Sequence, residues 1–200
     1  MSKYKFVKHI PNILTAANML SGLTAIIFLL HTDHSNKELI VAAIIIFGSI
    51  LDFLDGHLAR KLDAVTSMGK QLDSFADIIT FCIAPICLVN SLFPREQSVL
   101  ILISSGIFLM AGAYRLARYN ISDFSDHFVG LPITAAGTLL GIYCALHPSW
   151  VNQHSVICTL ITSLFIVLLS VMMVSKVKVK RMRIGSVWKT SKACGPHGDN

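Results

Sequence analysis

The chain has 200 residues, 54% of them hydrophobic and 14% charged, and 17 basic against 11 acidic side chains give a net charge of +6. That composition excludes a disordered chain and argues against an ordinary water-soluble domain. Stretches without Asp, Glu, Lys or Arg cover 10–32, 39–51, 78–94, 97–114 and 127–175, together 120 residues, enough for about six membrane-crossing helices at roughly 20 apolar residues each.

Lys3, Lys5 and Lys8 precede the first apolar run. The run is longer than a signal-peptide core and has no small-residue cleavage site, so it reads as a retained first span behind a short basic interfacial segment. The expected spans are 12–31, 38–60, 67–92, 96–119, 131–147 and 154–176. Pro94 and Arg95 mark one turn, and His147-Pro148-Ser149-Trp150 splits the longest uncharged run, because proline stops a helix while histidine and tryptophan suit a water interface. The expected fold is all-α: a polytopic membrane domain over 1–183 and a loosely ordered basic tail over 184–200. Of the five cysteines, four lie inside apolar runs and none forms a C-x-x-C pair, which argues against a disulfide framework or thiolate zinc site.

Six spans put both termini on one side. That side would carry 15 of the 17 basic residues, leaving Lys37 and Arg95 opposite, so both termini are expected in the cytoplasm and the protein in the cell (plasma) membrane. Topology and anionic headgroups thus account for the positive charge, and nucleic acid is not an expected partner.

Four carboxylates stand out at the second turn. Asp52 and Asp55 are three residues apart, and Asp73 and Asp77 four apart, so each pair occupies one helix face. An antiparallel hairpin centred near Asp63 or Ala64 brings all four together near the cytoplasmic helix ends. Unneutralised, such a cluster costs several kcal/mol at a bilayer edge. Hard oxygen donors without thiolate or imidazole partners call for Mg²⁺, Mn²⁺ or Ca²⁺; His57 falls on another face. The plainer reading, capping or pairing with Arg60, Lys61 and Lys70, suits one pair better than two. Gly56, Ala59 and Gly69 beside the cluster leave room for a flat or bulky group such as a nucleotide.

The run D-x-x-D-G-x-x-A-R-x8-G-x3-D-x3-D, here Asp52, Asp55, Gly56, Ala59, Arg60, Gly69, Asp73 and Asp77, resembles the signature of the CDP-alcohol phosphatidyltransferases. Further segments resemble the serine-using branch, the phosphatidylserine synthases: Pro11-Asn12 with Thr15, Asn18 and Gly22, Leu72 to Asp77, Arg115-Leu-Ala-Arg118-Tyr-Asn120, and Gly130-Leu-Pro132 through Gly137. Thr134 stands where that last segment usually has a second proline.

The resemblance implies six spans, a homodimer, and transfer of the phosphatidyl group of CDP-diacylglycerol to L-serine with release of CMP. It implies two divalent cations, Mn²⁺ or Mg²⁺, on Asp52, Asp55, Asp73 and Asp77, with Asp77 also the catalytic base. Gly56, Ala59, Arg60 and Gly69 would contact the nucleotide. Arg115 and Arg118 would take the serine carboxylate or the lipid phosphate, unless they serve only topology and headgroup contact. Asn12, Thr15 and Asn18 recur every three residues on one face of the first span and would line the same cavity, unless Asn12 serves as a helix cap. The competing readings are a sister enzyme using glycerol 3-phosphate or an inositol phosphate, and a divalent-cation transporter. A diacylglycerol substrate further implies a site just inside the membrane boundary, open to the cytosol and sideways to membrane lipid.

Overall fold

The computed structural model describes residues 10–33, 36–62, 64–93, 98–121, 128–146, 156–175 and 178–179. The basic N-terminal segment, the Pro94 and His147–Trp150 turns, Asp63 and the tail over 184–200 lie outside them. Six helices follow in chain order: α1 (Ile10–His31), α2 (Lys37–Lys61), α3 (Ser67–Leu92), α4 (Ser98–Ile121), α5 (Ile133–Leu146) and α6 (Val156–Val174).

Five of these are long and apolar enough to cross a membrane. The fifth expected span is shorter than anticipated. At 14 residues α5 is about 21 Å long, short of a hydrocarbon core of about 30 Å, because Leu131-Pro132 remains non-helical and α5 starts only at Ile133. One pairing departs from an all-helical chain: two-residue strands β1 (Phe128–Val129) and β2 (Lys178–Val179) run antiparallel, Phe128 opposite Val179.

Contacts at one end of the bundle fix the up-and-down order. Thr15 near the start of α1 meets Asp55 near the end of α2; Ser74 near the start of α3 meets Asn120 at the end of α4. The turn before α5 docks on the end of α6, where the Leu131 amide donates to the Met172 carbonyl at 3.0 Å. Gly130 there has φ +83°, and a Cβ on it would stand 2.6 Å from the Met173 carbonyl oxygen, so this close approach needs glycine.

The middle of α3 is the hub. Ile78–Ile83 forms a π-helical turn directly after Asp77. Glycines from four helices close around it. A Cβ on Gly22 (α1) or Gly48 (α2) would collide with Thr80, one on Gly112 (α4) with Cys82 Sγ, and one on Gly137 (α5) with the backbone of Phe81. Thr80 and Phe81 are fully buried, and Thr80 Oγ1 donates to the Asn18 carbonyl at 2.9 Å. Lipid tails are as apolar as leucine, so helices in a bilayer associate through such close packing and hydrogen bonds. The wider turn needs room, and the missing side chains provide it. Phe108, Ile45, Leu88, Ile101, Leu140 and Ile166 fill the surrounding core without exposure.

Candidate active site

The hairpin between α2 and α3 is closed by its own backbone. The Leu62 amide donates to the Leu58 carbonyl at 2.9 Å and the Ala64 amide to the Ala59 carbonyl at 3.0 Å. Thr66 is extended (φ −124°, ψ 153°), and its Oγ1 accepts from the Gly69 amide at 3.0 Å, an N-cap that starts α3 at Ser67. The two helices therefore run back along each other with their carboxylates facing.

Carboxylate oxygens of Asp52, Asp55 and Asp73 all lie within 4.8 Å of one another. Asp77 completes the group from below, its carboxylate within hydrogen-bonding reach of Asp52. Asp55 and Asp77 are buried, and Asp52 and Asp73 half-buried. Thr15 Oγ1 donates to Asp55 Oδ2 at 2.8 Å and also reaches the Pro11 carbonyl at 3.0 Å, so α1 orients one member of the cluster.

Among the described residues no basic side chain pairs with any of the four carboxylates. Arg60 and Lys61 are exposed, and the ammonium of Lys70 sits 3.3 Å from the Tyr119 carbonyl oxygen and over the Tyr119 ring. Capping or pairing on a solvated face therefore does not explain the aspartates. Among the described residues Asp73 Oδ1 and Asp77 Oδ1 are enclosed without a hydrogen-bond partner, and buried anions left unpaired demand a counter-charge. An all-carboxylate donor set of this density fits a hard divalent cation.

The remaining expected residues separate. Gly56 leaves an open face, since a Cβ there would find only the Arg60 Nη2 atom, at 3.9 Å. Ala59 is half-buried one turn further on, and Arg60 folds back beside Gly56. A Cβ on Gly69 would stand 3.1 Å from Asn12 Oδ1, so Asn12 reaches across from α1 to the start of α3. Asn18 turns instead into the packing seam, fully buried beside Gly48. His57 is exposed and stacked on Phe53, away from the carboxylates. Arg115 and Arg118 also part. Arg115 is half-buried within electrostatic reach of Asp77. Arg118 donates to the Val174 carbonyl at 3.4 Å and lies over the Tyr114 ring, where it satisfies a carbonyl left open by the end of α6.

Sequence reading gave no role to Ser74 or Asn120, yet they join α3 to α4 beside the cluster: Asn120 Nδ2 donates to Ser74 Oγ at 2.9 Å, and Ser74 Oγ donates to the Lys70 carbonyl at 3.1 Å. The available signal was a small polar residue next to Asp73 and an amide at the end of an otherwise apolar span.

Fold and site together define a polytopic membrane protein with a dense carboxylate centre at one end of its helical bundle. Residues 8–165 match the family model of the CDP-alcohol phosphatidyltransferases, and the chain belongs to that family. Its members are generally dependent on divalent metals, in keeping with the three clustered aspartates. The chain is 40% identical over 139 residues to the CDP-diacylglycerol--serine O-phosphatidyltransferase of Bacillus subtilis, covering 68% of this chain and 75% of that protein. It is 36% identical over 169 residues to the protein of that name from Methanocaldococcus jannaschii (84% and 72% covered). For the Helicobacter pylori protein the identity is 34% over 172 residues (84% and 70% covered).

Proposed function

We propose that the chain transfers the phosphatidyl group of CDP-diacylglycerol to L-serine, giving phosphatidylserine and CMP. The observation that carries this reading is the convergence of Asp52, Asp55 and Asp73 within 4.8 Å, with Asp77 against them, in a chain whose relatives bear that activity in their names.

Phosphoryl transfer asks the protein for charge neutralisation, alignment and a proton acceptor. Asp52, Asp55, Asp73 and Asp77 would hold two divalent cations, Mn²⁺ or Mg²⁺. When bound, these supply Lewis-acid polarisation of the pyrophosphate and charge stabilisation for departing CMP. Thr15 holds the Asp55 carboxylate in place, while Asn12 and Gly69 shape the adjoining wall. Gly56 and Ala59 let the cytidine phosphates approach α2, and Arg60 reaches a phosphate oxygen with its planar fork. Asp77, deepest of the four, accepts the serine hydroxyl proton as that oxygen bonds to the phosphorus carrying diacylglycerol; the bond from that phosphorus to the CMP oxygen breaks. Arg115 takes the serine carboxylate. Arg118, fixed on the end of α6, serves the lipid phosphate at the rim.

The same reading puts the site at the cytoplasmic face of the plasma membrane, both termini in the cytoplasm, and the chain in a homodimer. The positive-inside count and the family resemblance support these points. Purified protein incubated with CDP-diacylglycerol, Mn²⁺ and one acceptor at a time tests the reading through CMP release. Release with L-serine, and not with glycerol 3-phosphate or an inositol phosphate, is expected; release only with a phosphorylated acceptor would overturn it.

A further inference from the structure

Asn18 lies in the seam between α1 and α2 with no exposed surface, and among the described residues neither its Oδ1 nor its Nδ2 has a hydrogen-bond partner. The plain role of a polar side chain inside a membrane bundle is to bond one helix to another. At this level the backbone does that: the Asn18 carbonyl accepts from Thr80 Oγ1 of α3 at 2.9 Å and from Ser21 Oγ at 2.7 Å. The amide itself joins nothing. Packing alone would be served as well by leucine, which has the same branched outline and no polar atom to desolvate.

Its neighbours put the amide one turn beneath the carboxylates. Thr15, which donates to Asp55, comes three residues before Asn18 on α1, and Thr80 comes three after Asp77 on α3. Gly48, whose missing Cβ would stand 3.1 Å from Asn18 Oδ1, comes four before Asp52 on α2. On each helix the step is about 4.5–6 Å along the axis. A side chain on α1 also leans toward the start of its helix, the end that holds the carboxylates. Asp77 meets Asp52 through one oxygen, while the other, Oδ1, is enclosed and unpartnered. One orphan donor and two orphan acceptors thus converge on one point. A step of this length is too long for a direct hydrogen bond, and it matches the span of about 4.5 Å that two hydrogen bonds of about 2.8 Å make across a water molecule.

We propose that Asn18 is a positioning residue for Asp77, acting through one enclosed water molecule. The water accepts from Asn18 Nδ2, donates one hydrogen to Oδ1 of the same amide in a closed ring, and donates the other to Asp77 Oδ1. That is three hydrogen bonds, the usual number for a buried water, and it satisfies all three orphans at once. Asp77 is then held from the core of the bundle, and its second oxygen, beside Asp52, stays turned toward the serine hydroxyl. A carboxylate offers about four acceptor positions, so the water does not compete with a divalent cation for Asp77. It is neither consumed nor aimed at the phosphorus. This deepens the reading of Asp77 as proton acceptor and rests on it.

Asn18→Leu and Asn18→Ala test it together, through kinetics at saturating Mn²⁺ and unfolding midpoints in detergent without metal. Leucine keeps the outline of the amide and excludes the water, whereas alanine leaves a space that water can fill. Asn18→Leu should lower the serine-dependent kcat by about tenfold or more, the loss of one hydrogen bond to a charged group. Its KM values for serine and CDP-diacylglycerol should stay within about twofold, and its midpoint should equal or exceed that of wild type. Asn18→Ala should lose less than about fivefold in kcat, although the cavity sets its midpoint below that of Asn18→Leu. Activity and stability then rank the two variants in opposite orders. A high-resolution map of the metal-free wild type should show one water within about 3.2 Å of Asn18 Nδ2, Asn18 Oδ1 and Asp77 Oδ1. A kcat that follows the midpoint in both variants overturns the proposal by marking a packing amide, and so does a direct bond between Asn18 and Asp77 in the map. Asp77→Asn protein that turns over at the wild-type rate sinks the underlying reading instead, whatever the Asn18 variants do.

Discussion

Four glycines at the middle of the bundle and a fifth beside the carboxylates do opposite things. Gly22, Gly48, Gly112 and Gly137 surround the π turn of α3, and a Cβ on any of them would strike Thr80, Cys82 or Phe81 at clash distance. At Gly56, beside the carboxylates, the only neighbour within 4 Å is the far end of Arg60, at 3.9 Å. At the first four the absent side chain is filled by another helix; at Gly56 it is left open. Close helix packing and an open helix face use the same residue type, and only the neighbouring atoms tell them apart.

The largest effect is expected at the carboxylates beside Gly56. Asp55→Asn or Asp73→Asn should lower serine-dependent CMP release by at least about a thousandfold, the scale of removing transition-state charge stabilisation. Unfolding midpoints in detergent should not fall, since each change removes repulsion between anions. A lowered midpoint would assign these aspartates to the fold.

Next come the seam glycines. Gly137→Ala forces a methyl group into Phe81, and overpacking of this kind costs about 1–3 kcal/mol, so the midpoint should drop and activity with it. Gly56→Ala makes the opposite prediction. Its helix should be unchanged or more stable by up to about 1 kcal/mol, while the KM for CDP-diacylglycerol should rise severalfold if, as proposed, the added methyl group occupies the face the nucleotide would approach. If Gly56→Ala lost stability and Gly137→Ala did not, the comparison would be reversed.

Smaller effects follow. Thr15→Val removes the 2.8 Å hydrogen bond to Asp55, worth about 1 kcal/mol, and should cut kcat/KM by about fivefold without changing the acceptor preference. His57→Ala should leave kinetics and metal dependence as they are, because the ring stacks on Phe53 outside the cluster.

Much of this was legible in the sequence. Charge-free runs and helix-stopping residues place the helices to within a few residues, because a bilayer imposes length and apolarity on every span. The spacing of Asp52, Asp55, Asp73 and Asp77 about one turn centre predicts their meeting, since helix periodicity and a short hairpin leave little else to choose. The π turn over Ile78–Ile83 carries no local signature; it exists because four other helices present glycines at that level, a fact of tertiary packing. The separation of Arg115 from Arg118 was hidden for a related reason. Residues three apart share a face on average, and the rotation of α4 against α3 and α6 decides which one meets Asp77 and which one closes α6. The link from Asn120 to Ser74 spans 46 residues, beyond the reach of any local pattern. The length of α5 depends on where the Gly130 turn docks.

The α2–α3 hairpin is proposed to bind divalent cations. Titration of the purified wild-type chain with Mn²⁺, followed by electron paramagnetic resonance, tests it without relying on turnover. Two equivalents should bind, with Asp52→Asn, Asp55→Asn and Asp73→Asn each weakening the binding and His57→Ala leaving it intact. Wild-type protein that takes up no Mn²⁺ even with CDP-diacylglycerol present, or aspartate variants that bind as wild type does, would contradict the account.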